Sequence, residues 1–234
     1  MTLPPDGRSP VTRTRVLTVV ALALTVLALL GAGVRGDFEP QLDLDGAVSE
    51  ALYVGDDRPA FLGGLLEVLT APGSWWFRAV VFLSVLVWLG VTRAWRPVVW
   101  VIPAIGLIGP LTTVLKNAFG RIRPDFDEGG ARYESLSFPS GHSSGIATLV
   151  TVALVLAWPV LAHRARTAWL TAGVVLVLLV GLTRMWLGVH FLSDVLGGWA
   201  LGLSWSLAVA LVLGGLPGGS AALRPRERQP AAGP

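Results

Sequence analysis

Cysteine is absent from this 234-residue chain, which excludes disulfides, thiol catalysis and thiolate-held metals. Lysine is almost absent too: Lys116 stands alone beside seventeen arginines. Charge of any kind is scarce. Asp, Glu, Lys and Arg make up 14% of residues and the mean hydropathy is +0.66, against about 25% charged in soluble domains. An ordinary soluble fold is excluded, and apolar runs near the membrane-spanning length of roughly 20 residues recur instead. The net charge of +3 and pI near 10.2 come almost wholly from arginine. Those arginines are scattered through short connections rather than gathered on one face, so no nucleic acid is expected as a partner.

What the chain does have is six apolar stretches, at residues 16–34, 77–91, 98–115, 145–161, 168–185 and 191–213. Backbone groups left unpaired in lipid are too costly to tolerate, so runs of this length should be helices. The sequence therefore reads as an all-α, integral, multi-pass membrane protein, a six-helix bundle occupying residues 15–215. The ends, 1–14 and 216–234, are rich in proline and are expected to be disordered and cytoplasmic. The first stretch exceeds the 7–15 residues typical of a signal-peptide core and reads as a retained helix. Residues 59–71 are too short to span and suit an interfacial or re-entrant piece.

Arginine placement predicts sidedness. Arg8, Arg13 and Arg15, the turns around Arg93 and Arg96 and around Arg164 and Arg166, and the tail with Arg224, Arg226 and Arg228 fall on one side, which should be cytoplasmic. The other side holds a long acidic connection, residues 35–74, with Asp37, Glu39, Asp43, Asp45, Glu50, Asp56 and Asp57. The plasma membrane is the expected location, with both termini inside.

Three polar stretches fall on the outer side: "KNAFGRIRP" from Lys116, "PSGH" from Pro139, and "TRMWLGVHFLSD" from Thr183. Singly, each has a plain reading. Arginines at helix ends reach for the interface, proline and serine start helices, and His190 with Asp194 is an ordinary i, i+4 pair. Together they bring Lys116, Arg121, Arg123, Arg184, two of the chain's three histidines and a carboxylate to one membrane face. Arginine's planar fork matches phosphate, and a helix beginning after Ser140 and Gly141 offers unpaired N–H groups to the same anion. Asp194 can accept one ring N–H of His190 and leave the other nitrogen to attack phosphorus. His142 can protonate the leaving oxygen. No Asp/Glu cluster offers a Mg²⁺ site, and zinc at His142, His190 and Asp194 would make little use of the surrounding cations, so no metal and no cofactor is expected. Arg121 is left as a contact to the substrate headgroup. His163 is assigned nothing.

The three stretches resemble the signature of the type 2 phosphatidic acid phosphatase (PAP2) family, which shares its phosphate site with vanadium haloperoxidases. That signature is K-x6-RP, PSGH and SR-x5-H-x3-D, found here in the same order and spacing within residues 116–198. The resemblance implies that Lys116, Arg123, Arg184, Ser140 and the Gly141 amide hold the phosphoryl group. It makes His190 the nucleophile, Asp194 its orienting partner and His142 the general acid. Thr183 replaces the usual serine. The expected function is hydrolysis of a lipid phosphate, with undecaprenyl diphosphate, phosphatidylglycerol phosphate or phosphatidic acid as candidates, through a phosphohistidine. A lipid or sugar phosphotransferase and a non-catalytic phosphate-lipid binding or transport protein are the alternatives.

Overall fold

The structure, a computed structural model, describes residues 10–126 and 135–224; Arg8, Arg226 and Arg228 lie outside them. The described residues are helical throughout their regular structure: α1 (Pro10–Arg35), α2 (Glu39–Leu52), α3 (Ala60–Thr70), α4 (Trp75–Val91), α5 (Val98–Gly106), α6 (Ile108–Phe119), α7 (Gly141–Ala157), α8 (His163–Trp186) and α9 (Leu192–Val212).

Among the described residues, four segments are long and apolar enough to cross a membrane: Thr12–Arg35, Val98–Phe119, His163–Trp186 and Leu192–Val212. A fifth arises if α3, its short 3-10 extension and α4 count as one span bent by 46°. The fourth expected stretch forms α7, which at 17 residues is shorter than these. The expected span at 98–115 is two helices, α5 and α6, broken at Leu107: Pro103 lies within α5, and Pro110 lacks the N–H that a continuous helix would donate to the Gly106 carbonyl. The residues expected to be interfacial, 59–71, form α3 and lead into α4 through the bend.

Two expectations about the ends change. Residues 10–14 belong to α1, with Pro10 opening the helix where its missing N–H costs nothing. After α9 the chain folds back, and Leu216, Ala221 and Ala222 are buried. Leu216 and Ala221 pack in a core cluster with Trp100, Val152 and Val209.

The centre of the bundle is α9, packed on α7 along one side and α1 along another. The α7 contact is set by glycine. A Cβ on Gly198 would lie 2.6 Å from the Ser140 carbonyl oxygen, and one on Gly202 would lie 2.3 Å from that of Ser144. Membrane helices that pack through small residues approach closely because lipid supplies no hydrophobic drive between them. This closeness carries the start of α7 against the start of α9, where the Ser140 N–H donates to the Asp194 carbonyl at 2.9 Å. The second and third polar stretches therefore meet.

Candidate active site

The site is assembled around His190, which sits between α8 and α9 and is 1% exposed. One helical turn on, the Asp194 carboxylate lies 3.3 Å from its Nδ1. The other ring nitrogen, Nε2, is 3.1 Å from Arg123 Nη1. An arginine can only donate, so Nε2 accepts and the proton belongs on Nδ1, facing the carboxylate. Burial pushes the His190 imidazole down to about 3, against the opposite pull of Asp194. The ring is neutral at physiological pH, with a lone pair on Nε2.

Asp194 is held by more than the histidine. Its Oδ2 accepts from the Ser137 hydroxyl at 2.5 Å and from the Phe191 N–H at 2.9 Å. Its Oδ1 accepts from Arg121 Nη1 at 3.0 Å. Both oxygens of this buried carboxylate meet donors, as low-dielectric surroundings require.

Around this pair the expected phosphate ligands converge. Arg123 donates to the Val189 carbonyl at 2.6 Å and to Ser135 through its carbonyl and hydroxyl at 2.7 and 2.9 Å. These contacts fix its guanidinium across the His190 ring. Lys116, in the last turn of α6, donates to the Leu136 and Ser137 carbonyls. Those same residues precede "PSGH", so Lys116 ties the first polar stretch to the second. Arg184, 3% exposed on the last turn of α8, donates to the Thr70 hydroxyl at 3.3 Å. Ser140 caps α7, its oxygen accepting from the Ser143 N–H. Gly141 and His142 follow as the first residues of that helix. The 3-10 turn after α3 packs against His142: a Cβ on Gly73 would stand 2.9 Å from the His142 Cβ.

One expectation about a site residue is revised. Arg121 is not placed for a headgroup. Its side chain is 9% exposed and bridges Asp194 and Asp45, with Nη2 to Asp45 Oδ2 at 2.7 Å. It also lies 4.1 Å above the Phe191 ring. Two buried carboxylates and one aromatic face occupy it fully. Thr183 keeps the serine hydroxyl but spends it on its own helix, donating to the Val180 carbonyl at 2.6 Å.

Sequence reasoning missed Asp45, Ser137 and Thr70. Asp45 comes from α2, inside the acidic connection, and also accepts from the Ser193 N–H and hydroxyl at 2.8 and 2.5 Å. The available signal was spacing: Asp45 and Ser49, four residues apart, are the buried positions of α2. Ser137 and Thr70 stand outside any motif, and no pattern marks them.

A family model described as the PAP2 superfamily matches residues 97–216. Among curated proteins, phosphatidylglycerophosphatase B of Bacillus subtilis (strain 168) is 46% identical over 96 residues, 40% of this chain and 46% of the relative. Lipid A 1-phosphatase of Rhizobium etli is 37% identical over 115 residues, 44% of this chain and 45% of the relative. The match thus spans about half the length of these curated relatives. Two solved structures are similar. The crystal structure of a transmembrane PAP2-type phosphatidylglycerolphosphate phosphatase from Bacillus subtilis superposes with a TM-score of 0.70 at 28% identity, over 81% of this chain and 93% of that one. That of Aquifex aeolicus LpxE gives 0.54 at 25% identity, over 74% and 96%. The family match encloses every residue from Lys116 to Asp194 that the fold gathers around His190, and the chain belongs to the PAP2 superfamily.

Proposed function

We propose that this protein is a membrane lipid-phosphate phosphatase that works through a phosphohistidine on His190. The observation that carries the reading is the clamped imidazole: Asp194 on Nδ1 and Arg123 on Nε2. When substrate binds, Arg123 passes from Nε2 to an oxygen of the phosphoryl group, which frees the lone pair for phosphorus. The relatives named as phosphatases of lipid phosphates support the same class.

In the first step Nε2 of His190 forms a bond to phosphorus as the bond from phosphorus to the lipid oxygen breaks. Burial and the surrounding cations hold the His142 imidazole below its usual range; the bound phosphate offsets those cations, so that His142 takes up a proton with substrate and gives it to that oxygen. In the second step water attacks phosphorus, His142 takes the proton back, and the P–N bond breaks to release inorganic phosphate. Lys116, Arg123 and Arg184 carry the phosphoryl charge, helped by Ser140 and the N–H of Gly141 at the start of α7. Asp194 stabilises the ring as it gains positive character. No step requires a metal.

The site opens on the outer face of the membrane in this reading, and six passes leave both termini inside. The acidic connection is on the site's own side, since Asp45 reaches Arg121 and Ser193. The turn with Arg93 and Arg96 lies instead beside Leu223 and Arg224, after α9. Candidate substrates are undecaprenyl diphosphate, phosphatidylglycerol phosphate and phosphatidic acid, all with phosphate at headgroup level.

Phosphate release from a panel of these lipids, by detergent-purified protein in EDTA, tests the proposal. Wild type should release phosphate from at least one lipid. His190→Ala should fall by several orders of magnitude, as expected for loss of a nucleophile. Activity within tenfold of wild type in that variant would refute the role of His190, and transfer to an added alcohol without free phosphate would favour a phosphotransferase.

A further inference from the structure

Arg78 is a cation that the signature does not include. It sits one turn into α4, just below Trp75 and Trp76, which are 76% and 50% exposed and suit an interfacial belt. An arginine at that depth would ordinarily reach back toward water. This one turns inward and lies on the start of α7. Its Nη1 donates to the Gly141 carbonyl at 3.3 Å. A Cβ on Gly145, one turn further along α7, would stand 1.5 Å from the same nitrogen. The guanidinium therefore occupies the space that the missing side chain leaves, on the face of α7 adjoining His142. Its charge is close enough to act on the His142 ring.

The contrast with Arg121 is chemical. Arg121 is neutralised by Asp45 and Asp194. Among the described residues Arg78 has no carboxylate within 4.0 Å and makes one hydrogen bond, to a neutral carbonyl. A charge carried into a membrane helix is costly and is kept where it meets an ion, a pathway or a substrate. Structural pairing explains Arg121. It does not explain Arg78.

Position selects the anion. If His190 attacks phosphorus on one side and His142 protonates the departing oxygen on the other, Arg78 stands on the leaving-group side. Lys116, Arg123 and Arg184 already serve the phosphoryl group in transfer. We infer that Arg78 holds a second phosphate on the leaving group, which makes lipid diphosphates the substrate class this site favours over lipids whose leaving group is a neutral alcohol. The inference rests on the proposed roles of His190 and His142. It goes further in naming the residue that separates undecaprenyl diphosphate from phosphatidic acid.

Binding measured without turnover tests it and keeps its failure apart from failure of the catalytic proposal. The probes are methylphosphonate, carrying one phosphonate, and methylenediphosphonate, carrying two joined by a bond that cannot be hydrolysed. Purified wild type should bind the second at least tenfold more tightly, since a charge-assisted contact to phosphate contributes on that scale. In Arg78→Gln that advantage should shrink to within about threefold, with methylphosphonate affinity preserved. Arg78→Lys should restore part of it. Gly145→Ala, which keeps the charge but fills its seat, should imitate Arg78→Gln. An unchanged preference for methylenediphosphonate in both Arg78→Gln and Gly145→Ala would overturn the inference, as would equal loss of affinity for both probes. Loss of turnover in His190→Ala bears on the catalytic proposal alone.

Discussion

At the scale of single residues the site divides into groups proposed to meet substrate and groups that hold those in place. Arg121 shows how sequence can mislead here. It lies two residues from Arg123, and nothing in the string "GRIRP" says that one guanidinium turns to His190 and the other to a pair of carboxylates. The difference is made by Asp45, some seventy residues earlier, whose contribution no spacing within the motif reveals. By contrast the His190–Asp194 pairing was legible, because the two lie only four residues apart, His190 just before the cap of α9 and Asp194 in its first turn. Removing Arg121 leaves two buried carboxylates without their cation, a change that costs about 3 kcal/mol or more. Arg121→Gln should therefore lower kcat far more than it alters KM, and should lower the thermal midpoint. A histidine NMR titration gives a second readout, workable because the chain has three histidines. The wild-type His190 signal should stay neutral from pH 8 to pH 5, since burial holds its pKa near 3. In Arg121→Gln the midpoint should rise, because Asp194 then acts on the ring with its full negative charge. A wild-type midpoint near 6.5 would contradict the buried, neutral nucleophile.

Among elements, long apolar runs were legible and their interruptions were not. The composition of residues 98–115 reads as one helix, yet a break at Leu107, three residues before Pro110, makes two. The helix α2 was hidden for the opposite reason. Its sequence, "EPQLDLDGAVSEAL", is too polar for a membrane scan, and what ties it to the site is Asp45, paired with Arg121 and Ser193. The contact between α7 and α9 was also unreadable, since glycines in apolar runs have many uses. In the structure Gly202 has the backbone of α7 against it, whereas Gly109 on α6 has no heavy atom within 4 Å of where a Cβ would stand. Gly202→Leu should separate the two helices that carry His142 and His190. Overpacking of this kind typically costs about 1–3 kcal/mol, and most activity should go with it. Gly109→Ala should leave activity unchanged and add helix propensity of up to about 1 kcal/mol. Equal activity in both variants would show that the α7–α9 approach does not set the site.

For the whole molecule the open question is which leaflet the site serves. The fold puts the acidic connection and the three polar stretches at one end of the bundle, away from the turn with Arg93 and Arg96. The absence of cysteine makes the question directly testable. In intact cells, Asp57→Cys, exposed between α2 and α3, should react with a membrane-impermeant maleimide. Ala162→Cys, exposed before α8, should be protected until the cells are opened. The reverse pattern would put the site in the cytoplasm.

The central claim, a covalent phosphohistidine on His190, is tested most directly by trapping it. Wild-type protein mixed with a substrate lipid labelled in its phosphate should be quenched in alkali within one turnover, because a phosphohistidine survives base and is lost in acid. Peptide mass spectrometry should then find the phosphoryl group on His190, and none should be found in His190→Ala. Label on any other residue, or rapid phosphate release by wild type with no labelled peptide at the earliest times and none in the slowed His142→Ala variant, would contradict the account.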